Sequence, residues 1–175
     1  PISIDTMKPI VAEMSIKAGA SMINDICGLR DDDMIDVAIS HRVPAVIMHM
    51  HGTPRTLATD TMEGDIITEI RRFLNERAEH AAGRGMRGRD IILDPGIGFG
   101  KTAEQNMRII ENCGSFSDEY PILIGPSRKR FLSHCYPGVD ADEATARASR
   151  IAADNGARIL RVHNVRKVRS FLDGV

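Results

Sequence analysis

Apolar residues recur along this chain in two alternating rhythms, short continuous runs and longer stretches spaced three and four positions apart. Residues 2–5 read as a strand. Residues 8–18 follow with Ile10, Val11, Met14 and Ile16 at helical spacing, closed by Gly19 at a C′ position. Residues 22–25 make the second short run, after which Asp31-Asp32-Asp33 supplies the acidic first turn of a helix through Met34, Val37 and Ala38 to His41. The third run, 45–50, holds no polar residue before His49 and leads into a polar loop, His51-Gly52-Thr53-Pro54-Arg55-Thr56. Ile66, Ile67, Ile70, Phe73 and Leu74 then predict a helix over about 63–82. A glycine- and arginine-rich surface connection, 83–89, precedes the fourth run, 91–94, and a helix over 103–112 with Met107, Ile109 and Ile110 facing the core. The fifth run is 122–125, the alanine-rich segment 142–155 is helical and closed by Gly156, the sixth run is 159–163, and a last helix covers 165–172.

Strands alternating with helices without interruption imply an α/β protein with a parallel sheet. An open doubly wound sheet gathers its ligand at one switch point, so polar residues should crowd onto two or three strand ends. Here every run ends in them: Asp5, Asn24 with Asp25, His49 with His51, Asp94, Lys129 and its neighbours, and Arg161 with His163. A ring of polar ends is what a TIM (β/α)8 barrel makes around its mouth, but a complete barrel needs roughly 250 residues and eight units. The 175 residues are therefore expected to form one domain, 1–175, an incomplete barrel of six βα units equivalent to strands 3 to 8, with two units lacking on the N-terminal side.

Composition adds boundaries. Apolar residues at 42%, charged residues at 27% and a net charge of -1 give no electrostatic case for a nucleic-acid or acidic-membrane partner. Cys27, Cys113 and Cys135 form no CxxC pair, which argues against a disulfide framework or a zinc knuckle and for a reducing cytoplasm. No apolar run approaches the roughly 18 residues of a membrane helix, and no basic-then-apolar leader is present.

The chemistry centres on Ile91-Ile92-Leu93-Asp94-Pro95-Gly96-Ile97-Gly98-Phe99-Gly100-Lys101-Thr102, where a carboxylate ends a strand and a glycine loop opens a helix. A P-loop would need glycine where Pro95 stands, so the nucleotide reading fails. A tight turn accounts for at least two of the glycines. His49 and His51 are spaced like the HxH metal pair of barrel hydrolases, against which stands local packing of one of the rings, the preferred reading. Ser127-Arg128-Lys129-Arg130 and Arg161-Val162-His163 supply cations, and a guanidinium facing inward from Arg161 needs a carboxylate or an anionic ligand. With Asp5, Asn24 and Asp94 opposite, the mouth suits a substrate that has a flat donor-rich edge at one end and an anion at the other.

These motifs together resemble dihydropteroate synthase along the whole chain: Ile-Ser-Ile-Asp5-Thr, Ile-Asn24-Asp25-Ile, Met-His-Met-His-Gly-Thr-Pro54, the Asp94 loop to Thr102, Gly-Pro-Ser-Arg-Lys129 and Arg161-Val-His163. The resemblance implies condensation of 6-hydroxymethyl-dihydropterin diphosphate with an arylamine, commonly 4-aminobenzoate, with release of diphosphate. It implies pterin contacts from Asp5, Asn24, Asp94, Lys129 and Arg161, diphosphate contacts from Arg161 and His163, and catalytic roles for Asp5, Lys129, Arg161 and His163. Phe99, Ser127, Arg128 and Arg130 would border the arylamine pocket. Mg²⁺ would enter through the substrate diphosphate, its usual protein ligand lying outside this chain, and the family expectation is a homodimer. Arg130 and Asn164 depart from the Ser and Asp that are frequent there. Alone, the chain is expected to bind pterin weakly and turn over negligibly. The competing readings are a methyl-pterin-dependent methyltransferase, a non-catalytic pterin-binding subunit, and a metal-dependent amidohydrolase built on His49 and His51.

Overall fold

The computed structural model describes residues 1–52 and 61–174; Thr53, Pro54, Arg55 and Thr56 of the expected polar loop lie outside the described residues. Among the described residues six strands alternate with helices: β1 (Ser3–Asp5), α1 (Pro9–Lys17), β2 (Met22–Asp25), α2 (Asp32–His41), β3 (Ala45–Met48), α3 (Ile66–Gly83), β4 (Ile91–Asp94), α4 (Ala103–Glu111), β5 (Leu123–Ile124), α5 (Arg130–Cys135), α6 (Ala141–Asp154), β6 (Ile159–Leu160) and α7 (Val165–Asp173). Each neighbouring pair runs parallel, β1 to β4 in one ladder and β5 with β6 in another, joined by a parallel bridge from Leu93 to Ile122. Spatial order therefore follows chain order, as expected when parallel neighbours are joined by helical crossovers.

The register puts the polar ends side by side, Asp5 opposite Asn24 and Met48 opposite Asp94. The row is also curled. In a flat row of strands about 4.8 Å apart the outermost of six would stand roughly 24 Å from each other, yet Arg161, just beyond β6, places Nη2 3.0 Å from Oδ2 of Asp5 on β1. The Arg161 side chain thus bridges the carboxyl ends of the two outer strands, which a flat row would not allow.

β3 and β4 are buried at every position, which explains their uninterrupted apolar sequences. Helix starts follow their caps: Asp31 accepts from the Asp33 N–H, Asp140 from Asp142 and Glu143, and Thr102 forms a full capping box with Gln105. Ile23, Ile47, Leu93, Ile70, Leu74 and Phe116 form the centre of the core.

Four expectations need correction. β3 ends at Met48 and β6 at Leu160, so His49, Arg161 and His163 leave from loops rather than from strand faces. Arg161 is not a buried guanidinium: its side chain is 64% exposed and pairs with Asp5 near the surface. A short helix, α5, follows Lys129 where no element was expected; it buries only Phe131 and Leu132, too few positions to give a period. In α1 the apolar stripe faces solvent, with Ile10 61% and Met14 65% exposed, and Ala12 is the residue that packs inward. No helix among the described residues is long and apolar enough to cross a membrane.

Candidate active site

Asp94 ends β4 and is almost wholly buried. Its Oδ1 accepts the Gly96 N–H at 2.7 Å. Burial raises its pKa above the usual carboxylate range, and the Gly96 N–H with the cations Lys129, Lys101 and Arg161 opposes that rise. The loop that follows is built from positive-φ glycines, Gly96 at 72°, Gly98 at 82° and Gly100 at 68°, so the turn accounts for all three. Gly96 has no room for a side chain either, because a Cβ there would lie 1.8 Å from the His49 carbonyl oxygen.

Lys129 stands at the N-cap of α5 and reaches back over this loop, donating to the Ile97 carbonyl and lying 4.8 Å above the Phe99 ring. Burial pulls its pKa down to about 8, against the attraction of Asp94. Asn24 is buried at the end of β2 and donates from Nδ2 to Asp5 Oδ2 at 3.0 Å, the same oxygen that meets Arg161. Asp25 takes no part in the mouth. Successive residues of a strand point oppositely, and its carboxylate accepts the N–H groups of Cys27 at 2.8 Å and Leu29 at 2.9 Å to shape the turn into α2.

Two cavities open on either side of Lys129. One, about 350 Å³, is lined by Gly98, Phe99, Lys101, Arg128, Lys129 and Arg130. The other, about 260 Å³, is lined by Ser127, Lys129, Arg161 and His163. Phe99, Arg128 and Arg130 therefore come together as expected, but Ser127 does not join them. Its hydroxyl accepts the His163 backbone N–H at 3.1 Å and lies 2.8 Å from His163 Nδ1, committing it to the second cavity. Arg128, in the left-handed region at φ 56°, directs its guanidinium onto the Asp142 carboxylate at 2.8 and 3.2 Å. Asn164 adds a bond to the same carboxylate at 3.0 Å, and the two together hold the Asp142 pKa down to about 2.

His49 is committed to packing. Its ring lies edge-on to Phe73 with centroids 5.1 Å apart, and its Nδ1 is 3.1 Å from Lys101 Nζ. Burial first, then Lys101, pushes its pKa down to about 2, so the ring is neutral. Lys101 and Asn106 carried no functional signal in the sequence beyond their place after the glycines. Asn106 Oδ1 accepts the Gly98 N–H at 2.7 Å while Nδ2 donates to the Thr102 carbonyl at 2.7 Å. A polar residue at an inward position of α4, among Ile109 and Ile110, was the available clue.

The profile of the pterin-binding enzyme family matches residues 1–163. This chain belongs to the pterin-binding enzyme family. Within that family it is 40% identical over 170 residues to the dihydropteroate synthase of Synechocystis, covering 94% of this chain and 59% of that protein. It is 37% identical over 172 residues to that of Bacillus subtilis, covering 96% and 58%. The chain thus spans just under three fifths of the length of these curated relatives. Among solved structures, Thermus thermophilus dihydropteroate synthase in complex with 6HMPPP superposes with a TM-score of 0.93 at 37% identity, over 99% of this chain and 70% of that one. The same enzyme in complex with 4-aminobenzoate gives 0.92 at 37% identity, over 99% and 69%. The α/β fold with its parallel sheet accordingly matches that of the dihydropteroate synthase structures.

Proposed function

We propose that this chain carries the substrate-binding face of a dihydropteroate synthase, joining 6-hydroxymethyl-dihydropterin diphosphate to 4-aminobenzoate or a related arylamine. The observation that carries the reading is the position of Lys129, beside the buried Asp94 and shared by two cavities, one ringed by phenylalanine and cations, the other by Arg161, Ser127 and His163. A substrate that reacts at one carbon between an aromatic amine and a departing anion needs that arrangement.

In this reading Asp94 accepts the paired N–H groups of the pterin's amino-pyrimidine edge. These donors replace the solvent that burial has removed. Asn24 meets the adjoining ring nitrogens and Asp5 a further ring N–H, while Lys129 donates to the ring carbonyl and N5. Arg161 stacks on the pterin and, with His163, holds the diphosphate; the hydroxyl of Ser127 fixes the ring of His163 for that contact. The carbon–oxygen bond to the diphosphate breaks and its electron pair leaves with the phosphate. The amine lone pair then forms the new carbon–nitrogen bond and the nitrogen gives up a proton. Nothing is oxidised or reduced, and no enzyme nucleophile is needed. The protein's work is to stabilise separated charge, carboxylates beside the cationic carbon and cations beside the leaving group. Phe99, Arg128 and Arg130 border the arylamine.

Among the described residues no group of three or more His, Cys, Asp or Glu side chains is placed to hold a metal. The polar side chains lining the Arg161 cavity are two cations, Lys129 and Arg161, with the Ser127 hydroxyl and the His163 imidazole, a donor set that fits an anion. These residues make no Mg²⁺ site of their own, and no step is assigned to the ion.

We further propose that β1 to β6 correspond to strands 3 to 8 of the barrel. The solvent-facing apolar stripe of α1 supports this, since it is the surface a preceding βα unit would cover. The same stripe supports a second reading, in which another chain supplies the two units and this one is a pterin-binding subunit. Calorimetric titration with the pterin diphosphate tests the common core. Binding should be measurable and Asp94→Asn should weaken it by about a hundredfold, as expected when a buried charge-assisted pair is broken. A variant that binds as well as the parent would overturn the assignment. Diphosphate release on adding arylamine, measured on a chain extended at its N-terminus by two βα units, separates the synthase from a methyltransferase.

A further inference from the structure

Lys101 is 8% exposed, and its ammonium has three acceptors: Gly96 O at 2.9 Å, Phe99 O at 3.0 Å and His49 Nδ1 at 3.1 Å. An ammonium has three protons to donate, so the protonated group is saturated by these three neutral acceptors. None of them belongs to a substrate in the reading above. Burying this side chain is unfavourable, for burial pulls its pKa down to about 7 even with Asp94 nearby. A core residue kept on those terms does something that an apolar side chain of the same length would not.

What it holds is the glycine loop. Three positive-φ glycines in five positions leave this segment little intrinsic preference for one shape. Its own amides are fixed at single points: Gly96 N–H on Asp94, Gly98 N–H on Asn106, and Phe99 N–H on the Gly96 carbonyl at 3.2 Å. The Lys101 side chain reaches the carbonyls at both ends of the turn, which the Phe99 N–H also joins, and ties them to His49, the residue after β3. The loop in turn presents two groups to Lys129, the Ile97 carbonyl and the Phe99 ring.

We propose that Lys101 is the positioning residue of the active site: by clamping the Gly96 and Phe99 carbonyls against His49, it sets where Phe99 and Ile97 meet Lys129 and so shapes the arylamine side of the site. The affinity arm of this proposal rests on the function proposed above; the clamp itself does not.

The test is Lys101→Met, which keeps the length of the side chain and removes its donors. Amide hydrogen exchange, which reads local opening, should accelerate at least about tenfold at Gly96, Gly98 and Phe99 and stay unchanged at Ile23, held at 2.9 Å by Pro44 O in β2. Affinity for 4-aminobenzoate, titrated in the presence of diphosphate, should fall by about tenfold or more, while pterin affinity changes less than about threefold. Unaltered loop exchange, acceleration spread uniformly through the strands, or equal losses for both ligands would overturn the proposal. If the variant does not fold, reductive methylation of the unsubstituted chain decides: Lys101 should stay unmodified under conditions that label Lys17, whose side chain is 62% exposed, and equal labelling overturns the clamp. If the unsubstituted chain takes up neither ligand, the functional reading fails, and the exchange result still decides on Lys101.

Discussion

Lys129 is the residue on which the two halves of the site depend, and its charge is set by opposing effects. Burial lowers its pKa to about 8, Asp94 resists, and Arg161 adds to the lowering. A lysine donates to the ring carbonyl and N5 most strongly when protonated, and those bound acceptors raise its pKa further. Affinity for the pterin diphosphate is therefore highest below about pH 8 and falls as the pH rises through that value, by up to tenfold per unit. Lys129→Met should bind more weakly at pH 7 and lose this dependence. Calorimetry at a series of pH values checks both, and a wild-type affinity flat from pH 7 to pH 9.5 would count against Lys129 as the donor to the pterin ring. Asp94 was legible at this scale because a carboxylate after an apolar run has few other reasons to be there. Lys101 was not, because a lysine following glycines is ordinarily a solvated surface charge, and only its three acceptors show otherwise.

At the scale of elements, the glycine loop is useful only if α4 begins at a fixed point, and Thr102 fixes it. Its Oγ1 accepts the Gln105 N–H at 3.2 Å while Gln105 returns a bond to the Thr102 N–H at 2.9 Å. Gln105 also donates to Met62 O at 2.8 Å, and Met62 N–H bonds Gly100 O at 3.1 Å, so the segment re-entering after β3 is tied to the same cap. Thr102→Ala should cost about 1 kcal/mol of stability by denaturant titration, with an unchanged m-value. A loss within error of zero would mean that the helix start is held by Asn106 and the packing of Ile109 and Ile110 instead. The order of strands and helices was readable from periodicity because every crossover carries its own apolar stripe. The strand ends were less readable. β5 and β6 are two-residue strands, so the residues past them, including Arg161 and His163, leave the alternation of faces on which an inward orientation was argued.

For the whole molecule, the curl of the sheet leaves a side that nothing among the described residues covers. Ile2 just before β1, Met7, and Ile10, Val11 and Met14 on α1 are all exposed, and so is Val165 at the start of α7. Periodicity identified α1 as a helix but could not say which partner its stripe faces, because the pattern records only that apolar residues share a side. An exposed apolar stripe such as that of α1 favours association through it. Ile10→Lys combined with Met14→Lys should therefore lower self-association of the 175-residue chain in sedimentation. It should leave stability within about 0.5 kcal/mol, since neither side chain packs in the core of this chain. In a chain extended at its N-terminus by two βα units the same pair should be destabilising, by about 2 kcal/mol or more, because the charges would then be buried without partners. Synthase assays on the two lengths complete the comparison. If the stripe marks the joint of the barrel, the extended chain is the active one and the substitutions reduce its rate. Equal rates for both lengths, or tolerance of both charges in the longer chain, would show that the α1 face belongs to another partner.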